Sequence, residues 1–317
     1  MNKVTDECFP LKHYSVMKKE IIDSLNIKED GIYVDATLGY AGMSKEILKR
    51  LKNGLLIGID QDEEARKYSF NELSKISNNF KILDINFVDM KDALEKIGID
   101  KVDGIIFDLG FSSPQIDDEK RGFSFMNDAP LDMRMNLNAK FSAKDVVNGM
   151  KEEDLVKYFY LYGEEKLSKV IAKEIVSARK EKEIISTLEL VNIIKKATGA
   201  NYFYKNHPER KIFQAIRIIV NDEINVLEKV LPEAIELLKS GGRMSVISFH
   251  SLEDRIVKNI FKEYSEVNEI VKGLPNIPLE YLPKIRIINK KPITASEEEL
   301  KENSRSHSAK LRIIERI

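Results

Sequence analysis

The sequence predicts an α/β fold in which a parallel sheet with crossover helices is interrupted by an all-helical insertion. Three observations predict it. From Gly31 onward short β-branched runs alternate with helical patterns, as they do where parallel strands are joined by helices. Between residues 145 and about 199 the apolar positions keep only a helical period. Several strand-like runs end in an acid, Asp35, Asp60 and Asp108, at the carboxyl edge where open α/β sheets bind ligands.

In chain order, residues 31–35, 54–60, 80–84 and 103–108 read as four strands, with helical patterns over 44–51 and 62–74 between them. The insertion follows, its apolar residues Leu155, Phe159, Val170, Ile171, Ile175, Leu188, Val191 and Ile194 falling at helical spacing. Pro208 suits the first turn of a helix, where its missing N–H is not needed, and Ile212, Phe213, Ile216, Ile219 and Leu227 continue as an apolar stripe. Leu231-Pro232 is expected to start another short helix that ends at Gly241-Gly242. Residues 243–249 read as a fifth strand, and 285–288 with 311–317 as an antiparallel closing pair. The expected division is 1–114 and 207–317 for the sheet domain and 115–206 for the helical insert.

The chain has 317 residues, 43% hydrophobic and 32% charged, which excludes general disorder. No apolar run approaches the roughly 20 residues that span a bilayer, and the start does not resemble a signal peptide, so a cytoplasmic protein is expected. Its single cysteine, Cys8, excludes an internal disulfide framework and reads as a thiol without a chemical task. Lys plus Arg number 51 against 52 Asp plus Glu, so any nucleic-acid surface must be local. The best local candidate is the basic end of the chain, with Lys284, Arg286, Lys290, Lys291, Lys301, Arg305, Lys310, Arg312 and Arg316; an ordinary solvated face is the alternative. His207 and His307 lack ligand-spaced neighbours, and no metal is expected.

Residues 35–42, Asp-Ala-Thr-Leu-Gly-Tyr-Ala-Gly, form a glycine-containing passage from strand to helix where a cofactor can approach backbone N–H groups. Asp60 follows Gly39 by 21 residues, the spacing of an acid that accepts both ribose hydroxyls. NAD and S-adenosylmethionine both carry such a ribose. The additional carboxylates favour the donor that brings a sulfonium rather than a pyrophosphate.

The most specific stretches are Asp-Leu-Gly-Phe-Ser-Ser-Pro-Gln (108–115), Arg-Gly-Phe-Ser-Phe-Met (121–126), Pro-Leu-Asp-Met-Arg-Met (130–135), Phe-Gln-Ala-Ile-Arg-Ile-Ile-Val-Asn (213–221), Ser-Phe-His-Ser-Leu-Glu-Asp-Arg (248–255) and Ser-Ala-Lys-Leu-Arg (308–312). In these blocks and their order the chain resembles the 16S rRNA cytosine N4-methyltransferases, the RsmH or MraW family. The resemblance implies a Rossmann-like class I S-adenosylmethionine-dependent methyltransferase whose helical insert recognises substrate. The substrate implied is cytosine 1402 of 16S rRNA in the small ribosomal subunit. Carried over by motif, Gly39, Ala41, Gly42, Met43, Asp60, Phe87, Asp108 and Gln115 bind S-adenosylmethionine. The family loop usually reads Gly-x-Gly-Gly-His-Ser, whereas residues 39–44 here are Gly-Tyr-Ala-Gly-Met-Ser, so alanine replaces a glycine and methionine the histidine.

Methyl transfer to an exocyclic amine is an in-line displacement in which orientation supplies roughly 7 to 11 kcal/mol and base assistance roughly 3 to 5. An acceptor for an N4 hydrogen turns the amine toward the methyl group; Asp108 or a neighbouring carbonyl is the expected acceptor, with Ser112 and Ser113 in support. Phe111, Phe123 and Phe125 are either platforms for an unstacked base or packing between domains. His250 is either a substrate-side or a structural residue, and Arg134, Arg217 and Arg255 either touch phosphate or pair with acids. Two other readings stay open: a catalytically weak RNA-binding or ribosome-assembly factor, and a paralogue acting on another base. An NAD oxidoreductase lacks its pyrophosphate-binding glycines. The oligomeric state is left open, a homodimer included.

Overall fold

A computed structural model describes residues 15–110, 118–271 and 273–317. Seven strands form one sheet: β1 (Ile32–Asp35), β2 (Leu55–Ile59), β3 (Phe80–Leu83), β4 (Val102–Asp108), β5 (Leu238–Ser248), β6 (Ile285–Ile287) and β7 (Lys310–Arg316). Their order across the sheet is β3-β2-β1-β4-β5-β7-β6. The first five are parallel, and β7 runs antiparallel between β5 and β6, as the closing pair in the sequence suggests. The order reverses direction at β1 and β4, the switch point at which such sheets open a ligand crevice.

Side chains alternate across the sheet, and this splits the core into two layers. Ile105 and Phe107 face one layer and Ile106 the other. On the first side α4 (Met90–Lys96), α11 (Glu223–Leu237) and α12 (Ser251–Ser265) bury Leu94, Leu227, Leu231, Ile235, Val257 and Phe261 against Val34, Ile57 and Val246. On the second, α1 (Lys18–Ser24), α2 (Gly42–Leu48) and α3 (Glu63–Ser74) bury Ile21, Leu25, Ile47 and Leu73 against Tyr33, Leu56 and Leu311. Each fully buried Leu or Ile contributes about 1.5–3 kcal/mol, so both layers hold the strand ends rigidly.

Between β4 and β5 the chain is helical: α5 (Ala143–Gly149), α6 (Glu152–Leu161), α7 (Ser168–Glu181), α8 (Thr187–Thr198), α9 (Ala200–Asn206) and α10 (Pro208–Asn221). Their apolar faces make a third core that includes Leu155, Phe159, Ile171, Ile175, Leu190 and Ile194. Pro208 does open α10, and that helix also belongs to the third core through Ile212, Phe213, Ala215 and Ile216. Its opposite, polar side carries Gln214, Arg217 and Asn221. The Asn221 carboxamide donates to Met133 O and accepts from Met135 N, each at 2.8 Å, tying the loop after β4 to α10.

Two expectations fail around β5. Pro232 does not start a helix; it lies inside α11. An internal proline costs about 3 kcal/mol, but Leu231, Ala234 and Ile235 around it are fully buried, and that packing outweighs the lost backbone bond. Gly241-Gly242 do not end a helix either. They form an irregularity within a longer β5, where Leu238 pairs with Val102 and Arg243 with Gly104. Gly241 has φ +75°, and a Cβ on Gly242 would lie 2.8 Å from Lys239 O.

Candidate active site

One cavity of about 380 Å³ runs along the carboxyl edge of the parallel strands. It is lined after β1 by Asp35, Thr37, Gly39 and Tyr40, after β2 by Asp60, after β3 by Ile85 and Phe87, after β4 by Asp108 and Gly110, and after β5 by Phe249 and His250. Gly42 and Met43 line it from α2, Gln214 and Arg217 from α10, and Met135 and Ser308 complete the wall.

The β1 end is built by a tight turn. Ala36 N donates to Ile106 O and Leu38 N to Ile59 O, each at 2.9 Å, so the chain stays stitched to both neighbouring strands before it turns into α2. Gly39 has φ +47° and Ala41 φ +60°. The alanine therefore takes the left-handed conformation that glycine would take freely, at a cost of about 1–2 kcal/mol. Ala41 is fully buried behind the turn and is the one described residue of the expected cofactor set that does not line the cavity. Met43 lines the cavity and also packs in the core between α1 and α2, so it stands in for the imidazole as apolar filling.

Three carboxylates converge here. Asp60 accepts Gly39 N–H and Asp62 N–H, both at 2.8 Å, and burial pushes its pKa up to about 6. Asp35 accepts the Ser44 hydroxyl at 2.7 Å and Thr37 N–H at 3.3 Å; burial raises it likewise to about 6. Asp108 is raised furthest, to about 7, first by burial and then by the charges of Asp35 and Glu253. Its backbone N–H donates to the Thr37 hydroxyl at 2.7 Å, which locks the end of β4 to the β1 turn. Phe87 opens a short turn of helix and meets Phe107 edge-on at 5.7 Å, one part of it in the core and another on the cavity wall.

The β5 end is different in kind. His250 caps α12, its Nδ1 accepting Glu253 N–H at 3.4 Å while Nε2 lies 3.1 Å from the Glu253 carboxylate. Burial would raise Glu253, yet the His250 contact, the Arg217 charge and the Phe249 N–H hold it below the usual carboxylate range. Arg217 donates from Nε and Nη2 to the two oxygens of Glu223, each at 2.8 Å. Ligand atoms of Glu223, His250 and Glu253 lie within 4.8 Å of one another, and the Arg217 guanidinium supplies the positive charge beside them.

Of the expected site residues, Gly39, Gly42, Met43, Asp60, Phe87 and Asp108 thus line the cavity. Ser112, Ser113, Gln115 and Phe111 lie outside the described residues, as do Cys8 and the start of the chain. Phe123 is buried in the helical core and Phe125 meets Phe213 edge-on at 5.8 Å, so both serve as packing. Arg134 pairs with Asp132, Arg217 with Glu223 and Arg255 with Glu164. At the basic end of the chain most charges are answered internally: Lys284 and Arg316 by Glu236, Arg286 by Glu315, Lys310 and Arg312 by Asp254.

Sequence reasoning missed Tyr40, Met135, Gln214 and Phe249. A signal existed for Gln214, since it and Arg217 form an i, i+3 polar pair on the face opposite the apolar stripe. It also missed Arg121, whose buried guanidinium donates to Asp62 and to the carbonyls of Arg134 and Met135. That contact fastens the loop carrying Met135 beside the Asp60 turn.

The profile of the MraW methylase family matches residues 10–317. The chain belongs to this family. Ribosomal RNA small subunit methyltransferase H of Exiguobacterium sibiricum is 50% identical over 307 residues, spanning 96% of this chain and 98% of that protein. Among solved structures, an rRNA methylase of Streptococcus thermophilus shares 11% identity over 95% of this chain and 93% of its own, with a TM-score of 0.40. That likeness is too remote to bear on the site. For an MraW methylase, the strand order and the cavity at the switch point are those of a Rossmann-like methyltransferase fold. Among the described residues no helix is long and apolar enough to cross a membrane.

Proposed function

We infer that this methylase is S-adenosylmethionine-dependent and methylates N4 of cytosine 1402 in the 16S rRNA of the small ribosomal subunit. The observation that carries the reading is the convergence of Asp35, Asp60 and Asp108 on one partly apolar cavity. Such a site suits an adenosyl group with positive charges and repels the pyrophosphate of a dinucleotide. The family match and the 50% identity to a small-subunit rRNA methyltransferase direct it to rRNA.

S-adenosylmethionine supplies, when bound, a methyl group on a positively charged sulfur. The residues present fit it. Each Asp60 oxygen already accepts one backbone N–H and keeps a second lone pair for a ribose hydroxyl. Phe87 and Ile85 give an apolar wall for adenine, while Gly39, Gly42 and Met43 shape the turn beside it; Gln115 completes the proposed set. Ala41 holds the turn in its left-handed form from behind the cavity wall, so it takes none of the space for the donor.

Asp108 accepts a hydrogen of the cytosine amine and so turns the amine toward the methyl group, with Ser112 and Ser113 as its proposed supports. With a pKa of about 7 it exchanges a proton readily near neutral pH. Residues 115–206 are the proposed substrate-recognition insert, flanked by sheet parts 1–114 and 207–317; α10, just beyond the insert, shares its core and reaches the cavity. No metal is proposed at the Glu223, His250 and Glu253 group, where the Arg217 guanidinium is bound to Glu223.

The test is to incubate the protein with labelled methyl donor and either 30S particles or naked 16S rRNA, then map the modified base. Label on N4 of cytosine 1402 is the expected result. Label on another base, or on a protein, rejects this substrate.

A further inference from the structure

We propose that Arg217, held in place by Glu223, selects the target base by donating hydrogen bonds to the acceptors that cytosine carries beside its amine, with Gln214 as the adjoining wall. This deepens the methyltransferase reading and rests on it.

Strand order fixes where an acceptor base goes. Phe87, Asp60, Asp35, Asp108 and His250 follow β3, β2, β1, β4 and β5, which is also the order of those strands across the sheet. Neighbouring strands lie about 4.8 Å apart, so the β2 and β5 ends of the cavity are separated by roughly 14 Å. With the ribose acid at one end and Asp108 in the middle, the β4–β5 end remains for the base. Its wall is Asp108, Gln214, Arg217, Phe249 and His250.

Two of these side chains are fixed before any base arrives. The paired Nε and Nη2 bonds to Glu223 set the plane of the guanidinium, which is 11% exposed. Gln214 Nε2 donates to Tyr162 O at 2.8 Å, which fixes its carboxamide one helical turn away. Arg134 and Arg255 are also paired, but neither lines the cavity.

The chemistry then matches one base. Cytosine places a ring-nitrogen acceptor and next to it a carbonyl acceptor beside its amine, whereas adenine offers a ring nitrogen followed by C–H. Guanidinium donors satisfy both acceptors of cytosine and would leave one donor facing carbon in adenine. The Glu223 charge also offsets that of Arg217, so the pair does not oppose a cationic methyl donor at the β1 end.

Replacing Arg217 alone would strand a partly buried Glu223, so the informative protein is the double variant Arg217→Met/Glu223→Gln. Single-turnover methylation is measured on 30S particles carrying cytosine 1402, and on particles whose target pyrimidine lacks the 2-carbonyl oxygen. Melting and S-adenosylhomocysteine calorimetry run alongside. The double variant should melt and bind S-adenosylhomocysteine like the wild type, yet lose roughly 10- to 100-fold in rate on cytosine. Removing the carbonyl should slow the wild type by a similar factor and slow the variant no further. A double variant at full rate on cytosine, or one slowed by the analogue as much as the wild type, overturns this role for Arg217 and leaves the methyltransferase reading standing. Absence of transfer by the wild-type enzyme overturns that reading, and this inference with it.

Discussion

The two ends of the active cavity treat charge in opposite ways. At the β2–β1–β4 end, Asp35, Asp60 and Asp108 are all pushed up in pKa, and among the described residues the hydrogen bonds to Asp35 and Asp60 come from backbone N–H groups and a hydroxyl rather than from cations. At the β5 end, Glu253 is held down by His250 and Arg217, and Glu223 is locked to Arg217. The carboxylates of one end are met by a guanidinium and an imidazole, and among the described residues those of the other end have neither. In a folded protein the second condition persists only at a cost in stability, and a cationic ligand removes that cost.

The sharpest way to break this contrast is Asp108→Asn. It should cut single-turnover methylation by about 10²- to 10⁴-fold. The same variant should not lose stability at pH 8. An acid whose folded pKa is raised destabilises the fold above that pKa and costs nothing below its unfolded value. Between the ordinary 3.8 and about 7, Asp108 therefore lowers stability as pH rises. Melting curves should show the asparagine variant stabilised at pH 8 and equal to wild type near pH 3.5. A variant that melts earlier at pH 8 would make Asp108 a structural acid.

A smaller effect is expected at Asp60. Asp60→Asn keeps the shape but loses the charge-assisted acceptance of ribose, and should weaken S-adenosylmethionine binding by about 10- to 100-fold in calorimetry. The pH dependence sharpens the comparison further. Wild-type single-turnover rates should rise with pH as Asp108 ionises, with a midpoint below about 7 because the bound cation lowers it, and residual rates of Asp108→Asn should be flat there. The smallest effect belongs to the turn. Ala41→Gly relieves a left-handed alanine at φ +60°, partly offset by greater freedom of the unfolded chain, and should stabilise the protein by up to about 1 kcal/mol. Cofactor affinity should not fall, and denaturant titration with calorimetry checks both.

The sheet was legible in the sequence because β-branched runs ending in an acid signal both a strand and its carboxyl edge; Asp35, Asp60 and Asp108 all fall where that pattern puts them. Phe87 was legible only through the family resemblance. What stayed hidden depends on partners distant in the chain. The basic residues near the end of the chain are plain to read, but their pairing with Glu236, Asp254 and Glu315 is set by packing on β7 and its neighbours. Pro232 reads as a helix start because local propensity cannot report the burial that carries α11 through it. Gln214 and Arg217 are visible as a polar pair on α10, but only the fold shows that this face closes the cavity.

The most direct test of the central claim is calorimetric binding of S-adenosylmethionine and of NAD at pH 6.5 in buffers of different ionisation heat. A cation binding beside acids of pKa about 6 to 7 must drive off protons, so S-adenosylmethionine should bind with net proton release and NAD should not bind. Binding of NAD, or of S-adenosylmethionine with no proton exchange, would contradict the account.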